Sequence, residues 1–203
     1  MTDKDRINEK DLILRAKSGD DKAFEEIIQM YQKKVCTTIS YMIKDKDSVE
    51  DVAQEVFIKV YSNLKKFNEQ SSLFTWIYRI TMNACYDEIK REKKISFFRN
   101  YVEEDGEEEE IEREDPNQNV HEIVEERLNR AKLIATLKRL PKEQRALIVL
   151  RDIRGFSYWK IADMLKLKLG TVKSQINRAR RKLKDELEAS GLGDFNIDDS
   201  NQI

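Results

Sequence analysis

Residues 103–119 read EEDGEEEEIEREDPNQN, with ten acids, one arginine and almost no apolar side chain. A run of this kind repels itself and has nothing to bury, so it cannot belong to a folded core. It divides the 203-residue chain into four parts. These are a helical domain over 1–95, a flexible acidic linker over 96–119, a second helical domain over 120–188 and a tail over 189–203 expected to be disordered. The division also sorts charge. The linker run carries a net −9, residues 120–188 carry +9, and the whole chain sums to −1. The near-neutral total hides a strongly basic second domain, the electrostatic footprint of a nucleic-acid binder.

Both domains are expected to be all-α. The chain has only six Gly and two Pro, and its apolar residues recur at helical spacing. After a short segment around Leu12, Ile13 and Ala16, a long stripe runs through Phe24, Ile27, Ile28, Tyr31, Val35, Ile39 and Met42. Ser48 and Asp51 have capping-box spacing and predict a helix starting at Val49. That helix places Val49, Val52, Val56 and Val60 on one face, widened by Phe57, Tyr61 and Leu64. A polar loop, Lys65 to Ser72, precedes a helix with Leu73, Ile77, Ile80 and Ala84 inward and a basic end at Lys90, Arg91, Lys93 and Lys94. In the second domain Leu128, Ala131, Ile134 and Leu137 are spaced for a helix, Pro141 fits the first position of the next, and Gly155 punctuates. Ser157 is a good N-cap for a short helix ending near Leu165.

The last helix, expected from Gly170 to Glu188, follows closely enough to make a helix-turn-helix. Val172, Ile176, Ala179, Leu183 and Leu187 define its buried stripe. Gly170, Ser174, Asn177, Arg178 and Arg181 then point outward, flanked by Thr171, Lys173 and Arg180. Arg can fork onto guanine O6 and N7, Asn onto adenine, and Ser, Thr and Lys serve bases or phosphates. This face predicts a helix seated in a DNA major groove.

Nothing competes as a catalytic centre. His121 is the single histidine and reads as a solvated surface residue. There is no P-loop, GxGxxG or nucleophile motif, so no enzyme, cofactor or metal is expected. Cys36 and Cys85 are too few and too far apart for a metal or disulfide framework and read as buried free thiols. No apolar run approaches the ~18 residues of a membrane span, and the polar start MTDKDRINEKD lacks the apolar core of a secretion signal. A cytoplasmic protein is expected.

Two segments together carry a resemblance. SVEDVAQEVFIKVYSNLKKF (48–67) with SLFTWIYRITMNACYDEIKREKK (72–94) resembles region 2 of the extracytoplasmic-function (ECF) group of bacterial sigma factors. LPKEQRALIVLRDIRGFSYWKIADMLKLKLGTVKSQINRARRKL (140–183) resembles their region 4. The resemblance covers roughly residues 10–95 and 120–187 and implies a protein that binds core RNA polymerase, directs it to promoters and helps open the duplex. Helix 49–64 would dock on the clamp of the largest polymerase subunit through Asp51, Gln54 and Glu55, with Phe57 as an aromatic anchor. The loop 65–72 and the following helix would read the −10 element through Asn68, Trp76 and Asn83. Lys90, Arg91, Lys93 and Lys94 would hold phosphates; Trp76 and Tyr78 suit core packing as well. Thr171, Lys173, Ser174, Asn177, Arg178 and Arg181 would read the −35 element. An anti-sigma factor is an expected further partner.

The linker would thread the polymerase channels, serve as a spacer, or shield the basic second domain in the free protein. Three positions depart from the family pattern. Lys166 stands where the turn Gly is usual, Lys168 where the capping Ser is usual, and Met82 where a basic strand contact is common. Two alternatives use the helix-turn-helix alone: a DNA-binding regulator that works without polymerase, and an adaptor whose basic face binds an acidic partner. Neither needs the region 2-like half.

Overall fold

The computed structural model describes residues 3–99 and 131–189, which form helices joined by short turns and loops, with no strand among them. The linker run, His121, Leu128 and residues 190–203 of the tail lie outside the described residues.

The first half is four helices. Helix α1 (Asp3–Lys17) buries Leu12, Ile13 and Ala16 against α2 (Asp21–Met42). The turn between them is fixed locally. Gly19 takes φ +95°, Arg15 clasps the Asp20 carboxylate at 2.7 Å, and Asp20 caps α2 by accepting from the Ala23 amide at 3.2 Å. Helix α3 (Ser48–Asn63) ends in a 3₁₀ turn, Leu64–Lys66, and α4 (Leu73–Arg99) follows the polar loop. The stripe expected along α2 is buried, with Ile27, Val35, Ile39 and Met42 fully enclosed. It meets Val56, Val60, Ile77, Tyr78 and Met82 of α3 and α4 in one core. Cys85 is enclosed and Cys36 half-buried. Burial pushes the Cys85 thiol up to about 12, so it is un-ionised and inert at neutral pH.

The start of α3 differs from the expected capping box. Ser48 lies inside the helix, and its hydroxyl donates to Asp45 Oδ2 at 2.6 Å while the Asp47 amide donates to Asp45 Oδ1 at 3.0 Å. Asp45 thus organises the entry, and these donors hold its carboxyl below the usual range.

In the second half α5 (residues 131–139) precedes α6 (Lys142–Ile148). Ala131 is exposed, so the buried side of α5 begins later, with Thr136 and Leu137. Pro141 sits one position before α6 rather than inside it. Helix α6 widens into a π turn over Val149–Ile153, where the Arg154 amide reaches back five residues to Val149 O at 3.0 Å. Gly155, at φ +71°, ends the helix. Helix α7 (Tyr158–Leu165) is capped by Ser157, which accepts from the Lys160 amide at 3.3 Å. Helix α8 (Leu169–Ala189) buries Val172, Ile176, Ala179, Leu183 and Leu187.

The turn between α7 and α8 forms without glycine. Lys166 takes the left-handed conformation, φ 54° and ψ 42°. The Leu167 amide reaches Ala162 O at 2.9 Å and the Lys166 amide reaches Asp163 O at 3.4 Å, the bonds of a Schellman closure. The left-handed backbone costs a β-carbon residue about 1–2 kcal/mol. At Lys168, which precedes α8, no side-chain oxygen is available to cap. Lys166→Gly is therefore expected to stabilise the chain by about 0.5–1 kcal/mol, part of the relief being offset by glycine's chain entropy. Lys168→Ser is expected to add about 1 kcal/mol. Urea melts of the two variants check this, and a fall in midpoint for either contradicts the turn geometry.

The two halves are joined by a seam. Arg154 Nε donates to Thr38 Oγ1 at 2.8 Å and its Nη2 to Lys34 O at 2.9 Å. Phe156, 3% exposed, stacks on Phe74 with ring centroids 5.0 Å apart and makes an edge contact with Tyr78 at 5.3 Å. Arg145 is buried and donates to Met42 O at the end of α2, to Lys138 O at 2.8 Å and to Leu140 O at 3.1 Å. A cation suits the carbonyl end of a helix. Arg79 of α4 pairs with Asp163 of α7. Among the described residues, no protein atom hydrogen-bonds the buried side-chain atoms Arg79 Nε, Gln144 Oε1 and Arg145 Nε on this seam.

Candidate nucleic-acid interface

Burying the α8 stripe turns a second face outward. Thr171, Lys173, Ser174, Asn177, Arg178 and Arg181 are all exposed, which puts three cations and three hydrogen-bonding side chains on one accessible surface. Gly170 has no atom within 4 Å of where a Cβ would stand, so packing within this chain does not require glycine there. Arg180 does not join the outward face. It is half-buried and clasps Asp152 with two bonds, Nη2–Oδ1 at 2.6 Å and Nε–Oδ2 at 3.2 Å. Its task is to fix α8 against the π turn. Arg151 likewise lies over the Tyr158 ring at 4.5 Å and donates to Phe156 O at 3.1 Å.

The polar loop before α4 is held at both ends. Lys17 donates to Phe67 O at 2.5 Å and sits over the Phe67 ring at 5.4 Å. Ser72 caps α4 by accepting from the Thr75 amide at 3.2 Å. Between them Asn68 Oδ1 accepts from the Gln70 amide at 3.3 Å and Glu69 takes φ 59°. Asn68 is exposed at this tip. Trp76 is half-buried, its ring 5.1 Å from Phe67, so it packs on the core and stays partly accessible, whereas Tyr78 is fully buried. Asn83 is exposed and lines a cleft of about 900 Å³ opposite Met164, Leu165 and Thr171. The structure therefore sets Asn83 near the start of α8, while Asn68 and Trp76 stand at the other end of α4. Lys90, Arg91, Lys93 and Lys94 are exposed. Arg91 pairs with Glu88 and Lys90 lies 3.8 Å from Asp87, leaving Lys93 and Lys94 as the less compensated pair. Met82, at a position where a strand contact is common, is buried in the core at 1% exposure and cannot touch a nucleic acid.

The outer face of α3 corrects one expectation. Asp51, Gln54 and Glu55 are exposed, but Phe57 is 7% exposed and belongs to the core. It shares the buried side of α3 with Val52, Ala53, Val56 and Val60 and cannot anchor a partner. The exposed apolar side chains on α3 are Ile58, 59% exposed, and Tyr61, 51% exposed. Tyr61 is held in place by its hydroxyl, which donates to Asp21 Oδ1 at 3.2 Å, and by an edge contact with Phe24 at 4.8 Å. Glu55 pairs with Lys59 at 2.6 Å. A polar-acidic strip beside two preformed apolar side chains is what a partly charged helix–helix interface requires. Ile58 belongs to no motif in the sequence, although the helical period that buries Val56 and Val60 already turns it outward.

No group of three or more His, Cys, Asp or Glu among the described residues could hold a metal ion, and no described helix is long and apolar enough to cross a membrane.

Comparison with known proteins bears on both faces. Residues 27–95 match the Sigma-70 region 2 family and residues 130–183 the Sigma-70 region 4 family. The chain is 29% identical over 186 residues to the ECF RNA polymerase sigma-E factor of Haemophilus influenzae, covering 91% of this chain and 97% of that one. It is 31% identical over 204 residues to the ECF RNA polymerase sigma-E factor of Escherichia coli K12, covering 91% and 96%. Among solved structures, the fold is similar to the sigma factor RpoE of Bartonella quintana, crystallised with the anti-sigma factor NepR. The TM-score is 0.64 at 24% identity, covering 82% of this chain and 98% of that one.

Proposed function

Because the chain belongs to the ECF group of the sigma-70 family, we propose that it binds core RNA polymerase, directs it to promoters with −10 and −35 elements and helps open the duplex there. The observation that carries this is the pair of sigma-70 regions, 2 then 4, on one chain. It acts by binding rather than by catalysis, and it works in the cytoplasm, where the polymerase is.

The residue roles are part of this proposal. Asp51, Gln54 and Glu55, with Ile58 and Tyr61 in place of Phe57, form the polymerase-docking face. Asn68, Trp76 and Asn83 read the −10 element while Lys90, Arg91, Lys93 and Lys94 hold phosphates. Thr171, Lys173, Ser174, Asn177, Arg178 and Arg181 read the −35 element. Two modest readers on one chain bind a promoter together through effective concentration. An anti-sigma factor is the natural regulator, given the complex formed by the structurally similar sigma factor.

The test is transcription by purified core polymerase, with and without this protein, on a cognate promoter; failure to bind core or to start specific transcripts defeats the proposal. Arg178→Ala is expected to relax −35 specificity, at a cost of about 1–3 kcal/mol on the preferred sequence. Lys93→Ala is expected to weaken all sequences alike and to lower the salt slope by about one. Binding to matched and mismatched −35 sites over a salt series separates the two, and identical behaviour of the variants contradicts the division of labour.

A further inference from the structure

A second cleft, of about 720 Å³, runs between α4 and the start of the second half. Lys44 and Lys93 line one side of it, and Lys138, Arg139, Lys142 and Lys182 line the other. The acids on its walls are largely committed. Glu92 Oε1 accepts from the Lys44 and Asp45 amides at 3.3 Å each, and Glu143 lies 3.9 Å from Lys142. Arg139 meets Glu186 at 3.6 Å. Among the described residues, no ion pair joins Lys44, Lys93 or Lys182 to a carboxylate within the cleft. Lys138 donates to Lys44 O at 3.1 Å. Its ammonium is disfavoured by burial and by the nearby Lys46 and Arg145 charges. Like charges crowded in a concave, partly desolvated site focus a positive potential.

We propose that this cleft is the seat of the chain's own acidic run, residues 103–119. Two facts support that occupant, and the second favours it over a separate polyanion. The first is charge: seven of the eight residues over 103–110 are acidic, against a wall of cations. The second is connectivity. Residue 103 follows Arg99, the end of the helix that carries Lys93, and residue 119 precedes α5, which carries Lys138 and Arg139. At about 3.5 Å per residue at most, the run is tethered within reach of both walls, so its local concentration exceeds that of a free competitor. If Lys93 holds promoter phosphate, as the proposed function has it, the run and the promoter compete for that residue; the cleft assignment itself does not depend on this.

Zero-length carboxyl–amine cross-linking of the full chain at low salt, read by mass spectrometry, tests the assignment. Links within one molecule from the acids of 103–112 to Lys93, Lys138 and Lys182 are expected, and they should fade in molar salt as screening shortens to about 3 Å. Links only between two molecules, links equally frequent to Lys173 and Lys184 of α8, or no links at all overturn it. A variant carrying Glu107→Gln, Glu108→Gln, Glu109→Gln and Glu110→Gln gives a second readout. Its Lys93, Lys138 and Lys182 should react with an acetylating reagent about threefold faster or more, with Lys173 and Lys184 unchanged. Unchanged reactivity in the cleft overturns the assignment.

Discussion

Phe156→Ala is expected to lower the unfolding free energy by about 3–5 kcal/mol, the usual penalty for emptying a buried phenylalanine site. For a chain of this size that is a fall in Tm on the order of 10 °C. The effect should reach beyond the second half. The Phe156 ring is the apolar centre of the seam, stacked on Phe74 and edge-on to Tyr78, so its loss should also uncouple the halves. Calorimetry should show a broader or more split transition for the variant than for the wild type. A Tm within about 2 °C of wild type would mean that the aromatic cluster contributes little to joining the halves.

The second large effect is expected on α3. Ile58→Asp should weaken association with core polymerase by about 30-fold or more, equivalent to about 2 kcal/mol at an interface hot spot. It should leave helicity unchanged, because Ile58 is 59% exposed and its removal empties no core. Phe57→Ala should do the reverse and destabilise the fold, since that ring is 7% exposed. Polymerase-binding titrations beside thermal melts distinguish the neighbours. Normal polymerase binding by Ile58→Asp would remove the outer face of α3 from the docking surface.

Much of this fold is legible in the sequence because helical period reports local geometry. The buried stripes of α2 and α8 and the Ser157 cap are readable from spacing and residue type. Phe57 is assigned to docking by the resemblance alone, whereas the period of Val52, Val56 and Val60 places it inward, where it is buried. Arg180 resembles part of the outward face because its partner, Asp152, is 28 residues away. The seam is invisible for the same reason. Arg154 and Thr38 are 116 residues apart, and no periodicity links an arginine after a π turn to a threonine on another helix. The missing turn glycine is informative in a different way: Lys166 adopts the left-handed conformation that glycine would favour, so the turn is retained at the expense of some stability.

The acceptors at the seam give the joint a second character. Arg154 and Arg145 cross it onto a hydroxyl and two backbone carbonyls, Thr38 Oγ1, Lys34 O and Met42 O, groups that take up no proton in the ordinary acid range. Arg79 crosses onto the Asp163 carboxylate, which is exposed. Acid can therefore loosen the Arg79 crossing while the Arg154 and Arg145 crossings keep their acceptors, so most of the joint between the halves is indifferent to pH.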